Sequence, residues 1–418
     1  MHAPEMWKSS TGRGITVAVI DSGVDDSIAD LRGQVLNGKD YSTKSGDEHT
    51  DHDRHGTGMA ALIAGTGARG AANGSYGLAP DAKILPIRMK YAEEDYGKVD
   101  SGSEYARKLT EAIRYAADSR AQIINISMGK INSSGTRNVS TPALAEAVKY
   151  AIGKGKLIFA AVGNSGDKSN LFEYPAATPG VIGIGAIGKS AARAKWSQWG
   201  PQVDLVAPGE SIVSACPGGT GVCRGSGTSG ATALASASAA LIWSKHPTWT
   251  NNQVLRVLMN TAGKPVGGKE RTNTVGYGAV RPRIALTSPG DPGPADKYPL
   301  PDLAAAEPKA PASGPSAKAG GSADGGEESG RKDSDPVAAS KDEEGSSLRI
   351  ALGLGGAVLA GAVVSGYAVR TRRRRNAEAT VQVPPPLPHH VPHQPFGPPQ
   401  GDGFNRSSGD RPGSGPSL

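Results

Sequence analysis

An α/β fold with a central, mostly parallel sheet flanked by helices, plus one C-terminal transmembrane helix, is the class this sequence predicts. Three observations carry it. Unbroken apolar runs of strand length, Ile15 to Ile20 and Leu157 to Val162, read as strands buried on both faces. Small-residue, helix-like segments follow, Gly58 to Ala64 and Ala231 to Trp243, and the abundance of Gly and Ala suits close packing of helix on sheet. Far downstream, Ile350 to Val369 is an uncharged run of about 20 residues, long enough as a helix to span a bilayer core of about 30 Å.

Each element carries a candidate residue at its end. The first strand closes on Asp21, within Val17-Ala18-Val19-Ile20-Asp21-Ser22-Gly23. The carboxyl ends of parallel strands are where α/β sheets build their sites. His55, in Arg54-His55-Gly56-Thr57-Gly58, opens the first helix. Asn164 follows the strand Leu157 to Val162 through Gly163. Ser229, in Gly227-Thr228-Ser229-Gly230-Ala231, opens a later helix, whose N-terminal amides and dipole suit a developing oxyanion. Taken singly, Asp21 reads as a strand-end turn residue and Ser229 as an N-cap. Taken together they have one chemistry. A serine is a poor nucleophile until a base within reach takes its proton. A histidine, with an ordinary pKa near 6.5, can take it. A buried carboxylate fixes the imidazole tautomer and stabilises the imidazolium. The order Asp, His, Ser is one of three unrelated orders in which such a triad occurs. The Asn164 amide is placed to donate to the same oxyanion.

On these motifs residues 3–288 resemble the subtilisin-type (S8) serine peptidases. The resemblance implies a three-layer fold in which Asp21 is the orienting acid, His55 the general base, Ser229 the nucleophile and Asn164 an oxyanion donor. Loss of that donor costs ~10²–10³-fold in turnover, a magnitude that belongs to subtilisin itself. The resemblance makes Asn125-Ile126-Ser127-Met128-Gly129 the edge that pairs with substrate backbone, through Ser127, Met128 and Gly129, with Gly163 beside it. Leu205-Val206-Ala207-Pro208-Gly209 and Gly276-Tyr277-Gly278 also fit the pattern. One departure follows the serine. The family usually has Met-Ala-x-Pro there, and this chain has Gly230-Ala231-Thr232-Ala233, which removes no chemical group. Glu173 falls at the base of the pocket for the residue before the scissile bond (P1), where subtilisins often have Gly. A carboxylate there favours Lys or Arg at P1 or shortens the pocket; the alternative is that it turns out to solvent. His49, Asp51, His52, Asp53 and His55 fit no standard zinc spacing and read as a solvated polar loop before the histidine. No cofactor or metal is expected, and no acidic loop commits to calcium.

The net charge of +7 is no nucleic-acid signal, because Arg370, Arg372, Arg373, Arg374 and Arg375 gather five positive charges at one spot. That spot directly follows the apolar run and places the tail inside by the positive-inside rule. The expected organisation is a peptidase domain over 1–288, a disordered Pro/Ala/Gly/Ser-rich linker over 289–349, a transmembrane helix over 350–369, and a cytoplasmic tail over 370–418, basic and then Pro-rich. The peptidase domain is then extracellular. Cys216 and Cys223 share one Gly-rich loop, and an extracytoplasmic location permits a disulfide between them. Met1-His2-Ala3-Pro4-Glu5 has neither the basic region nor the apolar core of a leader, so an upstream signal segment is expected. Anchor, tether and loop disulfide together resemble the mycosins, membrane-anchored subtilisin-like peptidases tied to type VII secretion. That likeness implies cleavage of secreted protein or peptide substrates at the outer face, with secretion-machinery subunits as partners. The competing readings are a scaffold with catalysis secondary and a general degradative surface protease.

Overall fold

The computed structural model describes residues 2–90, 101–132, 138–216 and 221–306. The chain divides after Ala317 into two units. The second unit lies wholly outside the described residues, and with it the expected membrane helix 350–369 and the tail 370–418. Among the described residues no helix is long and apolar enough to cross a membrane.

The strands of the first unit are β1 (Thr16–Asp21), β2 (Lys39–Asp40), β3 (Lys83–Arg88), β4 (Ile123–Ile126), β5 (Lys130–Ile131), β6 (Leu157–Ala161), β7 (Glu173–Tyr174), β8 (Ile182–Ile187), β9 (Leu205–Pro208), β10 (Ile212–Ala215) and β11 (Val222–Gly225). The helices are α1 (Ala3–Trp7), α2 (His55–Ala64), α3 (Gly70–Asn73), α4 (Ser101–Asp118), α5 (Pro142–Gly153), α6 (Thr228–Lys245), α7 (Asn251–Asn260), α8 (Pro282–Thr287) and α9 (Pro301–Ala305). Seven strands form one parallel sheet in the order β2-β3-β1-β4-β6-β8-β9. From β1 the chain runs first to one side, into β2 and β3, and then crosses to the other, into β4 and beyond. The strand order therefore reverses at β1, and the crevice at a carboxyl edge opens where it does.

Both faces of the sheet are covered, which is why its strands read as continuous apolar runs. Val17 and Val19 pack with α2 and α6, while Ala18 and Ile20 pack with α4 and α5. The central α6 is buried along nearly its whole length. It tolerates this because it is built of Ala and Ser, and its hydroxyls find partners: Thr232 Oγ1 donates to the Thr228 carbonyl at 2.8 Å and Ser238 Oγ to Leu234 at 2.7 Å. The unusual Gly230-Ala231-Thr232-Ala233 sequence leaves the helix unbroken from Thr228 to Lys245.

The expected disulfide is present. Cys216 and Cys223 are bonded across the end of the β10–β11 hairpin, with Cα atoms 5.7 Å apart. Arg69 ties this loop to the body. Its Nη2 donates to the Gly221 carbonyl at 2.7 Å and to Asp30 Oδ2 at 2.7 Å.

The expected tether does not begin at 289. Residues 289–306 run back over the domain. Arg256 Nη1 donates to the Pro292 and Pro294 carbonyls at 2.7 and 2.9 Å, and Thr250 Oγ1 to Ala295 at 2.9 Å. Tyr298 donates its hydroxyl to the Gly180 carbonyl at 2.6 Å, Leu300 is buried, and Asp302 Oδ2 accepts from the Gly180 amide at 3.0 Å. Composition misleads here because several of the contacts run through the segment's backbone carbonyls, which any sequence supplies. A chain ending at Ala306 is expected to melt a few °C higher than one ending at Ser288, since Leu300 is buried, worth roughly 1.5–3 kcal/mol, and Tyr298 packs partly buried against the core. Equal melting temperatures would show that the segment adds no stability.

Candidate active site

The site assembles at the carboxyl end of β1. Asp21, the last residue of that strand, is fully buried, and its Oδ1 lies 2.7 Å from His55 Nδ1. A carboxylate only accepts, so Nδ1 carries the proton and Nε2 is left as the acceptor. The Ser22 amide also donates to Oδ1, at 2.8 Å. Close approach of α2 to the strand end depends on Gly56. A Cβ there would stand 2.1 Å from the Gly23 carbonyl oxygen and 3.0 Å from Asp21 Cβ.

The start of α2 is held by residues other than its own N-cap. Asp51 Oδ2 accepts from the Thr57 amide at 2.8 Å and the Thr57 hydroxyl at 2.6 Å. Its Oδ1 accepts from Ser22 Oγ at 2.8 Å and the Arg54 amide at 2.9 Å. Ser22 Oγ in turn accepts from the Gly56 amide at 3.0 Å. The polar segment from His49 to His55 is therefore not merely solvated: Asp51 caps the helix that presents His55. Burial pushes the Asp51 carboxyl above its ordinary value. Among the described residues no group of three or more His, Cys, Asp or Glu is placed to hold a metal ion.

Ser229 is the second residue of α6. Its Oγ donates to the Ser127 carbonyl at 2.9 Å, and Ser127 Oγ donates back to the Ser229 carbonyl at 3.2 Å. Behind them a buried relay runs into the core: Asn125 Nδ2 donates to Ser127 Oγ at 2.9 Å, and Ser236 Oγ donates to Asn125 Oδ1 at 3.0 Å. Asn125 thus fixes the end of β4 to the middle of α6. Asn164 is oriented by its own carbonyl. Its Oδ1 accepts from the Thr228 amide at 2.9 Å and the Thr228 hydroxyl at 3.0 Å, so Nδ2 is turned away from Thr228.

Two cavities meet at Ser229 and Asn164. One, of ≈ 280 Å³, is lined by Ser127, Met128, Gly129, Gly163 and Glu173 among others. The other, of ≈ 210 Å³, is lined by His55, Met59, Leu62, Ile212 and Gly230 among others. Glu173 turns into the first cavity rather than out to solvent. It is half-buried on β7, which pairs with β5, and Gln198 Nε2 donates to its Oε1 at 2.8 Å. Its carboxylate lies between two glycines: a Cβ on Gly129 would stand 2.8 Å from Oε2, and one on Gly163 2.2 Å from Oε1. Lys168 also lines this cavity, at its exposed rim.

Electrostatics sharpen the pair at the centre. Burial by itself disfavours a charged imidazole, but the charge and hydrogen bond of Asp21, with Asp51 and Asp53 behind, outweigh it and raise the His55 pKa above its ordinary 6.5. Titration of the His55 ring by NMR is expected to give a midpoint above 6.5, and Asp21→Asn is expected to lower it. Equal midpoints in the two proteins would contradict the pairing.

Fold and site together define an α/β hydrolytic scaffold with an Asp–His pair beside a helix-borne serine. The family model described as "Subtilase family" matches residues 12–278, and the chain belongs to that family. It is 36% identical over 224 residues to the major intracellular serine protease of Bacillus subtilis (strain 168), a match spanning 52% of this chain and 65% of that protein, just under two thirds of its length. It is 32% identical over 327 residues to mycosin-1 of Mycolicibacterium smegmatis, covering 69% of this chain and 71% of the relative. Among solved structures it superposes on the periplasmic assembly from the ESX-5 inner membrane complex with a TM-score of 0.60 and 28% identity, over 74% of this chain and 88% of that one.

Proposed function

We propose that this chain is a serine endopeptidase that cleaves peptide bonds through an acyl-enzyme. The observation that carries the reading is the convergence of His55, Ser229 and Asn164 on one cleft, with the buried Asp21 2.7 Å behind His55. In the resting state the Ser229 hydroxyl faces Ser127. For attack its proton swings to His55 Nε2, and Oγ bonds to the scissile carbonyl carbon. The carbonyl oxygen becomes an oxyanion, met by Asn164 Nδ2 and the α6 N-terminal amides. His55 then gives its proton to the leaving amine as the C–N bond breaks. Water repeats the cycle on the ester and frees Ser229. Asp21 holds the tautomer and stabilises the imidazolium throughout. Ser127 to Gly129 align the substrate backbone, and Glu173 selects Lys or Arg at P1.

The wider setting follows from sequence and likeness. The apolar run 350–369 with its Arg cluster supports a single membrane anchor, the catalytic domain outside and the tail inside. Kinship with mycosin-1, together with the tie to type VII secretion that the resemblance to the mycosins implies, supports action on substrates of that secretion. The likeness to a chain of an inner-membrane assembly favours a second role, as a structural component of such a complex. The site's full set of catalytic groups argues that this role accompanies catalysis rather than replacing it.

Peptide cleavage tests the chemistry. Asn164→Ala is expected to lower turnover by ~10²–10³-fold with little change in KM. Glu173→Gln is expected to cut the preference for Arg over Ala or Phe at P1 by about tenfold. An unchanged turnover in the first, or no basic preference to lose in the second, would refute the corresponding role.

A further inference from the structure

We propose that the cavity on the leaving-group side of Ser229 is a selective pocket for a branched apolar side chain, opened by the glycine at position 230. The inference rests on the peptidase reading and names the other half of its substrate class. It starts from where the proton goes. The base that takes the serine proton also delivers it to the leaving amine, so the leaving residue (P1′) must sit beside His55. His55 lines the ≈ 210 Å³ cavity and not the acidic one. The two cavities therefore receive the residues on opposite sides of the scissile bond.

Their chemistries are opposite too. The P1 cavity holds the Glu173 carboxylate. The P1′ cavity is walled by Met59 and Leu62 of α2 and Ile212 of β10, and His55 is the one titratable group among its described lining residues. Its remaining walls are serines, glycines and Asn164, which leave it open. Gly230 follows Ser229 directly on α6. A Cβ built there would meet Leu62 Cδ1 at 3.5 Å and Ile212 Cγ1 at 3.8 Å, ordinary contacts in both cases. Position 230 therefore admits a side chain sterically, and a long one would occupy the space. Its absence is what leaves room for a substrate residue. A Leu or Ile at P1′ gains apolar burial there, whereas Lys would lose hydration with no carboxylate among the described lining residues to meet it. The class of substrate is thus a chain with Lys or Arg followed by a branched apolar residue.

The test uses the full-length chain and quenched peptides that differ only in the residue after a fixed Arg, with cleavage sites read by mass spectrometry. The native protein is expected to favour Leu over Ser or Lys at P1′ by about ten- to a hundredfold in kcat/KM. In Gly230→Met that ratio is expected to fall to near one, because the methionine fills the pocket. In Ile212→Asp, which changes a partly buried wall and leaves the α6 sequence as it is, cleavage before Lys is expected to rise relative to cleavage before Leu. Ratios within each variant are compared, so a general loss of activity does not obscure the result. A flat P1′ profile in the native protein, or a Leu preference that survives Gly230→Met, overturns the inference while leaving the peptidase reading intact. A folded native chain that cleaves none of the peptides overturns the peptidase reading and the pocket with it.

Discussion

The contact on which the rest of the site depends is the 2.7 Å hydrogen bond between Asp21 and His55. It joins the end of the central strand to the start of a helix that must come almost into van der Waals contact with it. Gly56 permits the approach, and Ser22 and Asp51 secure it by accepting from the first amides of α2. These acceptors do two things at once. They satisfy orphan helix donors, and they fix the ring that the carboxylate orients. A buried carboxylate at this place is costly unless it is hydrogen-bonded, and His55 and Ser22 meet its Oδ1.

The second fixed point is α6. Its small side chains let it pass through the core against β4, β6 and β8, and its N-terminus carries Ser229 to the mouth of the crevice. The Ser236–Asn125–Ser127–Ser229 relay locks that N-terminus to the end of β4. Ser229 and Ser127 are therefore held at one junction, and Asn164 joins it through Thr228, the first residue of α6. The two flanking cavities differ in polarity because different layers wall them: the β5–β7 pair and Gly163 around Glu173, and α2 with the β10–β11 hairpin around Met59, Leu62 and Ile212. The disulfide and Arg69 brace the outer end of that hairpin.

Much of this was legible in the sequence. Continuous apolar runs disclosed the parallel strands because both faces of the sheet are covered. Asp21, His55, Asn164 and Ser229 were legible because each sits at an element boundary marked by glycine. The inward turn of Glu173 was not, since its direction depends on the β5–β7 pairing and on two glycines distant from it in the chain. Asp51 was hidden among polar neighbours that do face water. Residues 289–306 read as a tether because their attachment runs through backbone carbonyls and a few anchors such as Leu300. The departure at Gly230 was visible as a missing methionine, but the space it leaves appears only when Leu62 and Ile212 are seen opposite it.

The most direct measurement is reaction of the intact chain with a fluorophosphonate, followed by peptide mapping. The account predicts one adduct, on Ser229, absent in Ser229→Ala and formed on the order of 10⁴-fold more slowly in Asp21→Asn, where the imidazole is held in the wrong tautomer. A folded native chain that forms no adduct, or one that labels equally fast without the Asp21 carboxylate, would contradict it.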